Sequence, residues 1–181
     1  MIDTKITGDV KKNFKQLINS YLLVRTITQA IHAKKGRSLL VGGAVRDLFL
    51  GLQTKDLDIE VYGLSAKQLE LLLRDFGPIS LVGKIFGVFR VHGLDVDWSL
   101  PRLDSTGRKP EVRIDPFLPF KDAFRRRDLT INAMGIDIIS SELIDPFNGL
   151  NDLRKKLLRT PDPQFFIQDP LRFYRVMQFI A

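Results

Sequence analysis

Between residues 10 and 34, apolar residues return at helical spacing: Phe14, Ile18, Leu22, Val24 and Ile27, with polar residues between them. The pattern predicts one amphipathic helix, ended by Gly36. Ser38 to Val41 reads as a short buried strand, Gly42-Gly43 as a turn, and Ala44 to Leu50 as a short helix closed by Gly51. From Asp56 to Tyr62 carboxylate and apolar residues alternate, the period of a strand. Ser65 to Asp75 predicts a second helix with Ser65 as N-cap and Leu69, Leu72 and Leu73 inward. Strand-like pieces follow at Ile79 to Val82, Val88 to Val91 and Leu94 to Leu100, and 101–116 reads as an exposed loop. Phe120 to Met134 reads as helix, and Ile136 to Leu143 as a strand pair turning at Ser140-Ser141. Pro146, Asn148 and Gly149 make a turn, Asp152 to Leu158 a short basic helix, and Pro170 to Ala181 a last helix. Phe173, Val176, Met177 and Ile180 share one side of that last helix. The order is mixed α and β, with a largely antiparallel sheet in the first half.

Composition narrows the chemistry. A chain of 181 residues, 44% hydrophobic, can bury a real core. Its apolar stretches are too short to span a bilayer, and the first 19 residues lack the uninterrupted apolar core of a secretory signal. A soluble, cytoplasmic protein with no membrane partner is expected. The absence of cysteine excludes disulfides and thiolate-bound zinc. His32 and His92 alone make no histidine-rich metal site and read as structural or surface residues. A catalytic metal would therefore need oxygen ligands, which favours magnesium or manganese. A net charge of +7 favours polyanionic partners.

The most informative stretch is Asp56-Leu57-Asp58-Ile59-Glu60-Val61. On a strand, Asp56, Asp58 and Glu60 share one face and the apolar residues the other. Clustered carboxylates call for cations or bases, and two acids at this spacing can reach one divalent ion. The alternative is a solvated strand face. Asp95-Val96-Asp97 repeats the spacing on another predicted strand, either completing a three-acid cluster or pairing with Arg90 or Arg102. Such a cluster can hold metal for in-line phosphoryl transfer. Upstream, Gly42-Gly43-Ala44-Val45-Arg46-Asp47 runs from a strand through two glycines into a helix. Glycines let a backbone approach phosphate closely, and Arg46 can add bidentate contacts.

These segments together resemble the signature of the class II nucleotidyltransferases, within the polymerase-β-like superfamily. Arg126-Arg127-Asp128-Leu129-Thr130-Ile131-Asn132-Ala133-Met134 resembles the family's second motif. Ile144-Asp145-Pro146-Phe147-Asn148-Gly149-Leu150 with Asp152-Leu153 resembles the next, and Asp169-Pro170-Leu171-Arg172-Phe173-Tyr174-Arg175 the nucleotide-reading motif. The similarity runs from about Ser38 to the end. It implies an α+β head with a short mixed or antiparallel sheet flanked by helices, followed by the start of a helical neck.

The resemblance also implies roles. Asp56 and Asp58 would hold magnesium or manganese, with Asp97 as third carboxylate. Gly42, Gly43 and Arg46 would meet the triphosphate. Arg127 would bind nucleotide, with Asp128 and Asn132 shaping the ribose pocket. Asp169 and Arg172 would read the base edge, with Arg175 assisting. The residues alone also allow Asp169 to be a helix cap, and Arg125 a solvated charge. Gln168 stands where the family usually has an acid. The implied reaction is addition of C and A from CTP and ATP to an RNA 3′ end, that of tRNA favoured, with release of pyrophosphate. Poly(A) polymerase is the runner-up, and a truncated nucleotide-binding module without efficient RNA binding is a further alternative. The expected organisation is an N-terminal helical extension over 1–37, the catalytic head over 38–150 and a truncated neck over 151–181. The apolar side of the last helix is expected to drive formation of a homodimer or to fray.

Overall fold

The computed structural model describes residues 5–54, 56–82, 87–104 and 112–180. The amino-terminal pattern folds as two helices, α1 (Gly8–Ser20) and α2 (Leu22–Ala33). This corrects the expectation of a single helix. The backbone leaves helical geometry at Tyr21, φ −108° and ψ 73°, which resets the helical phase. Phe14 and Ile18 remain buried from α1, Val24, Ile27 and Ile31 from α2, and Leu22 turns out to solvent.

Strand β1 (Arg37–Val41) leads through Gly42 into α3 (Gly43–Leu50), which Gly51 closes in the left-handed conformation. β2 (Leu57–Tyr62) is followed by α4 (Ala66–Arg74). Ser65 and Gln68 form a reciprocal capping box at the start of α4, worth about 1 kcal/mol. Leu69, Leu72 and Leu73 face inward as the pattern requires. β3 (Ile79–Val82), β4 (Val88–Val91) and β5 (Val96–Ser99) come next. β6 (Arg102–Asp104) and β7 (Val112–Ile114) then pair as a separate antiparallel ribbon, where a loop was expected. Residues 105–111 of that expected loop lie outside the described residues.

The helix expected over Phe120 to Met134 is cut short. α5 (Phe120–Arg125) stops, and a single 3₁₀ turn forms at Thr130–Asn132. Asp128 is the reason: its carboxylate accepts from the Leu129 amide at 2.8 Å and from Asn132 Nδ2 at 3.1 Å, a local alternative to helix. β8 (Gly135–Asp137) and β9 (Leu143–Ile144) form the expected pair. α6 (Gly149–Arg154) starts earlier than predicted because Asp145 accepts from the amides of Gly149 and Leu150. α7 (Pro163–Phe166), not foreseen, opens on Asp162, which caps Gln164 and pairs with Arg125 at 2.6 Å. The last helix is α8 (Leu171–Ile180).

Among the described residues, seven strands form one sheet in the order β3-β4-β5-β2-β1-β8-β9. Only β2 and β5 run parallel; the other ladders are antiparallel. One face, with Leu40, Leu57, Ile59 and Val61, packs with α1 to α4. The N-terminal helices thus share the core of residues 38–150. The other face, with Leu39, Val41 and Tyr62, packs with Phe124 and Ala123 of α5. Each large apolar side chain so buried contributes roughly 1.5–3 kcal/mol. α8 stays outside: Phe173, Met177 and Ile180 of its apolar side are exposed, and none of its residues is buried.

The tightest junction joins α6 to the 3₁₀ turn. A Cβ on Gly149 would lie 2.1 Å from the Thr130 carbonyl oxygen, a backbone atom that cannot swing aside. Gly149→Ala should therefore lower unfolding free energy by about 1–3 kcal/mol or more. Urea titration measures it; an unchanged midpoint would show that this junction yields.

Candidate active site

Four strand ends meet at one end of the sheet. Val41, which ends β1, pairs with Asp58 of β2 on one side and with Gly135 of β8 on the other. Across the parallel ladder, Asp58 lies directly beside Asp97. The period-2 pattern thus places an acid beside an acid, and the Gly42 turn follows at the same end. Asp56, just before β2, and Asp58 are both exposed to solvent. The Asp58 carboxyl is pushed above the ordinary carboxylate range by the protein packed around it. Asp97, Asp56 and Glu60 push it the same way, while Arg127 opposes them. A carboxylate raised by burial first and by neighbouring acids after it is one whose charged form a further cation would favour.

Asp97 does not lean toward Asp58 alone. Its Oδ1 accepts from Arg90 at 2.7 Å, and Asp95 lies 3.7 Å from the same guanidinium. The sequence alternative of a salt bridge to Arg90 is realised, while Arg102 pairs instead with Asp104 at 2.9 Å. Among the described residues, no three acidic or histidine side chains converge closely enough to hold a metal. The acids share one edge of the sheet, and their oxygens suit a hard divalent cation.

Gly42 has φ +77°, a conformation other residues rarely adopt. A Cβ there would stand 3.2 Å from Arg127 NH1 and 3.6 Å from Asp58 Oδ2. The glycine therefore leaves open the space between an arginine and an acid. Arg46 and Asn132 are joined at 2.7 Å, Asn132 donates to Asp128, and Asp128 Oδ2 accepts from Arg175 NH1 at 3.2 Å. Phe179 of α8 stacks on the Arg46 guanidinium, 4.9 Å from ring centre to carbon. Gly43, Arg46, Arg127, Asp128, Asn132 and Arg175 are thus gathered around one end of the sheet.

Arg172 and Asp169 sit apart from this chain. Arg172 donates to the carbonyls of Phe165 and Arg126 at 2.6 and 2.9 Å, fastening α8 to α7 and to the 126–128 segment. Its Nε lies 3.8 Å from Asp169, whose Oδ1 caps the Leu171 amide at 3.0 Å. Asp169 is therefore a helix cap. Gln168 is exposed, and its side chain turns back to the Gln164 carbonyl. His32 and His92 are both at the surface, as expected.

Three contacts escaped the sequence. Glu60, on the acid face of β2, is wholly buried: its Oε2 faces Arg126 at 3.3 Å and Arg127 at 3.7 Å, and Tyr62 donates to its Oε1 at 2.6 Å. No local signal marked it, because Arg126 and Arg127 lie far along the chain from Glu60. Phe179 on Arg46 was the second. Asp152, accepting from Thr130 Oγ1 at 2.7 Å, was the third.

A mixed sheet flanked by helices, with paired acids beside a glycine turn at one end, is the arrangement of a nucleotidyltransferase head. The architecture is shared with solved structures. The Thermotoga maritima CCA-adding enzyme complexed with tRNA_CCA superposes with a TM-score of 0.72 at 28% identity, over 95% of this chain and 40% of that one. The Bacillus stearothermophilus CCA-adding enzyme in complex with CTP gives 0.70 at 28% identity, over 86% and 38%. The multifunctional CCA protein of Xylella fastidiosa (strain M12) is 38% identical over 149 residues, 80% of this chain and 34% of that protein. Residues 38–159 match the Poly A polymerase head domain family, and the chain belongs to it. It spans about a third of the length of the curated relatives it matches.

The raised Asp58 carboxyl has a consequence for stability. A group whose folded affinity for protons exceeds its unfolded one costs stability once pH climbs above its unfolded value. Asp58→Asn should therefore melt higher than the parent at neutral pH in chelator. The gain should shrink as pH falls through the carboxylate range. Thermal melts across that range test it; a gain that grows toward acid would reverse the assignment.

Proposed function

We propose that this chain is the catalytic head of an enzyme that adds C and A to the 3′ end of tRNA from CTP and ATP, releasing pyrophosphate. The observation that carries the reading is the register of β2 against β5. It stands Asp58 beside Asp97 at the Gly42 turn, where Asp58 Oδ2 and Arg127 NH1 both lie within 4 Å of the Cβ position of Gly42.

Asp56 and Asp58 would hold the divalent cation, magnesium or manganese, with Asp97, here paired with Arg90, as the third carboxylate. When bound, such an ion lowers the pKa of the attacking 3′ hydroxyl and draws off charge from the triphosphate. The protein does the rest by position. The Gly42-Gly43 turn admits the triphosphate close to backbone, where a side chain would block it. Arg127 and Arg46 offer guanidinium donors to phosphate oxygens. Asn132 and Asp128, already linked to Arg46, face the sugar. Asp169 offers acceptors and Arg172 donors, so together they match the base edge, with Arg175 beside them. Base reading requires Arg172 to exchange a backbone carbonyl for the nucleotide.

The family's description favours a second reading in which only AMP is added, as in poly(A) polymerase. Both use the same acids. Extension of labelled tRNA by the purified chain with each of the four NTPs separates them: C followed by A supports CCA addition, and A-runs on unrelated RNA support the alternative.

Asp56→Ala and Asp58→Ala should each reduce nucleotide addition at least about a hundredfold, as removal of a group that stabilises transition-state charge does. Normal folding by circular dichroism is expected alongside. Magnesium-dependent incorporation at the parent rate by both variants would remove the metal from Asp56 and Asp58. Asp169→Ala and Arg172→Ala should instead blur the choice among CTP, ATP, GTP and UTP. If selectivity holds in both while activity persists, these residues only fasten the helix.

A further inference from the structure

We infer that Glu60 is a positioning residue: it holds Arg127 away from Asp58 and so keeps the acid pair open to a cation. The inference rests on the metal-site reading above and extends it to a residue with no contact to nucleotide.

Glu60 is completely buried on the second face of the sheet, two residues beyond Asp58. Both arginines converge on the same carboxylate oxygen, at 3.3 Å for Arg126 and 3.7 Å for Arg127. The other oxygen is fixed by the Tyr62 hydroxyl at 2.6 Å. Burial and Glu60 together push that hydroxyl far above its ordinary range, so Tyr62 remains a donor. Glu60 is thus pinned from one side while it draws two cations from the other.

Arg127 is forked between two acids. NH2 faces Glu60, and NH1 lies 3.2 Å from the Cβ position at Gly42, with Asp58 Oδ2 3.6 Å from the same position. Its own burial and the neighbouring Arg126 both disfavour its charge, and Glu60 is the largest influence in the opposite direction. Without Glu60, two half-buried guanidinium groups would repel each other with no counter-charge between them. Arg127 would then turn to Asp58, the remaining acid within its reach. It would occupy the side of that carboxylate a divalent cation must use.

The test is Mn²⁺ binding to the chelator-treated chain without nucleotide, read from the electron paramagnetic resonance of free Mn²⁺. Glu60→Gln should weaken Mn²⁺ binding about tenfold, the low end of what one opposite charge does to a carboxylate's proton affinity at close range. Glu60→Gln combined with Arg127→Gln should bring affinity back to the parent level, because the competing cation is gone. A purely structural role for Glu60 predicts no such rescue. Glu60→Asp keeps the charge but withdraws it by one methylene, and should fall between the parent and Glu60→Gln. If Glu60→Gln does not fold, Glu60→Asp with and without Arg127→Gln makes the same comparison. Parent-like Mn²⁺ affinity in the foldable single variant, or failure of the Arg127 change to restore it, overturns the inference and leaves the metal site standing. A parent chain whose Mn²⁺ binding is absent, or unaffected by Asp58→Asn, overturns the metal-site reading and this inference with it.

Discussion

Two carboxylates side by side on neighbouring strands repel each other, and the arrangement of charge around β2 and β5 answers that constraint. The parallel register leaves Asp58 and Asp97 no freedom to separate along the sheet. Counter-charge comes from both sides: Arg90 on β4 takes Asp97, and Arg127 approaches Asp58 past a glycine. Neither contact removes the acids from solvent. The end of the sheet is therefore poised between its own arginines and any stronger cation that arrives.

Much of this was legible in the sequence where one period governs a run of residues. The alternation from Leu57 to Val61 placed three apolar residues in the core and the acids opposite, and Ser65 announced the start of α4. The missed features depend on residues far apart in the chain. At Tyr21 the spacing misleads, because Leu22 continues the i, i+4 series of Phe14 and Ile18, yet it is Val24 and Ile27, out of phase with that series, that are buried. The end of α5 is decided by Asp128 bonding its neighbours, a competition that apolar periodicity does not register. The 102–114 ribbon is too short for alternation to be visible.

The candidate site divides along the same line. Asp56, Asp58 and Gly42 were readable as residue types at telling spacings, Asp97 and Arg127 through the family resemblance, and the sheet brings them to one end. The burial of Glu60 was not readable, because its partner Arg126 lies 66 positions away. Alternation assigned Glu60 to a face without saying what covers that face. Arg172 was read for its chemistry, whereas its two terminal nitrogens hold backbone carbonyls.

The way α8 is attached has a mechanical consequence. Among the described residues its side-chain links include Arg172 on two carbonyls, Arg175 on Asp128 and Phe179 on Arg46, while no residue of the helix is buried. A helix seated by core packing can move only by opening a void beneath it. One seated by polar clips can tilt by trading each clip for water or for another acceptor, leaving the sheet and its apolar layers undisturbed. The seat of α8 beside the acids can therefore loosen without cost to the core, and of its clips the Arg175–Asp128 ion pair is the one that rising ionic strength weakens.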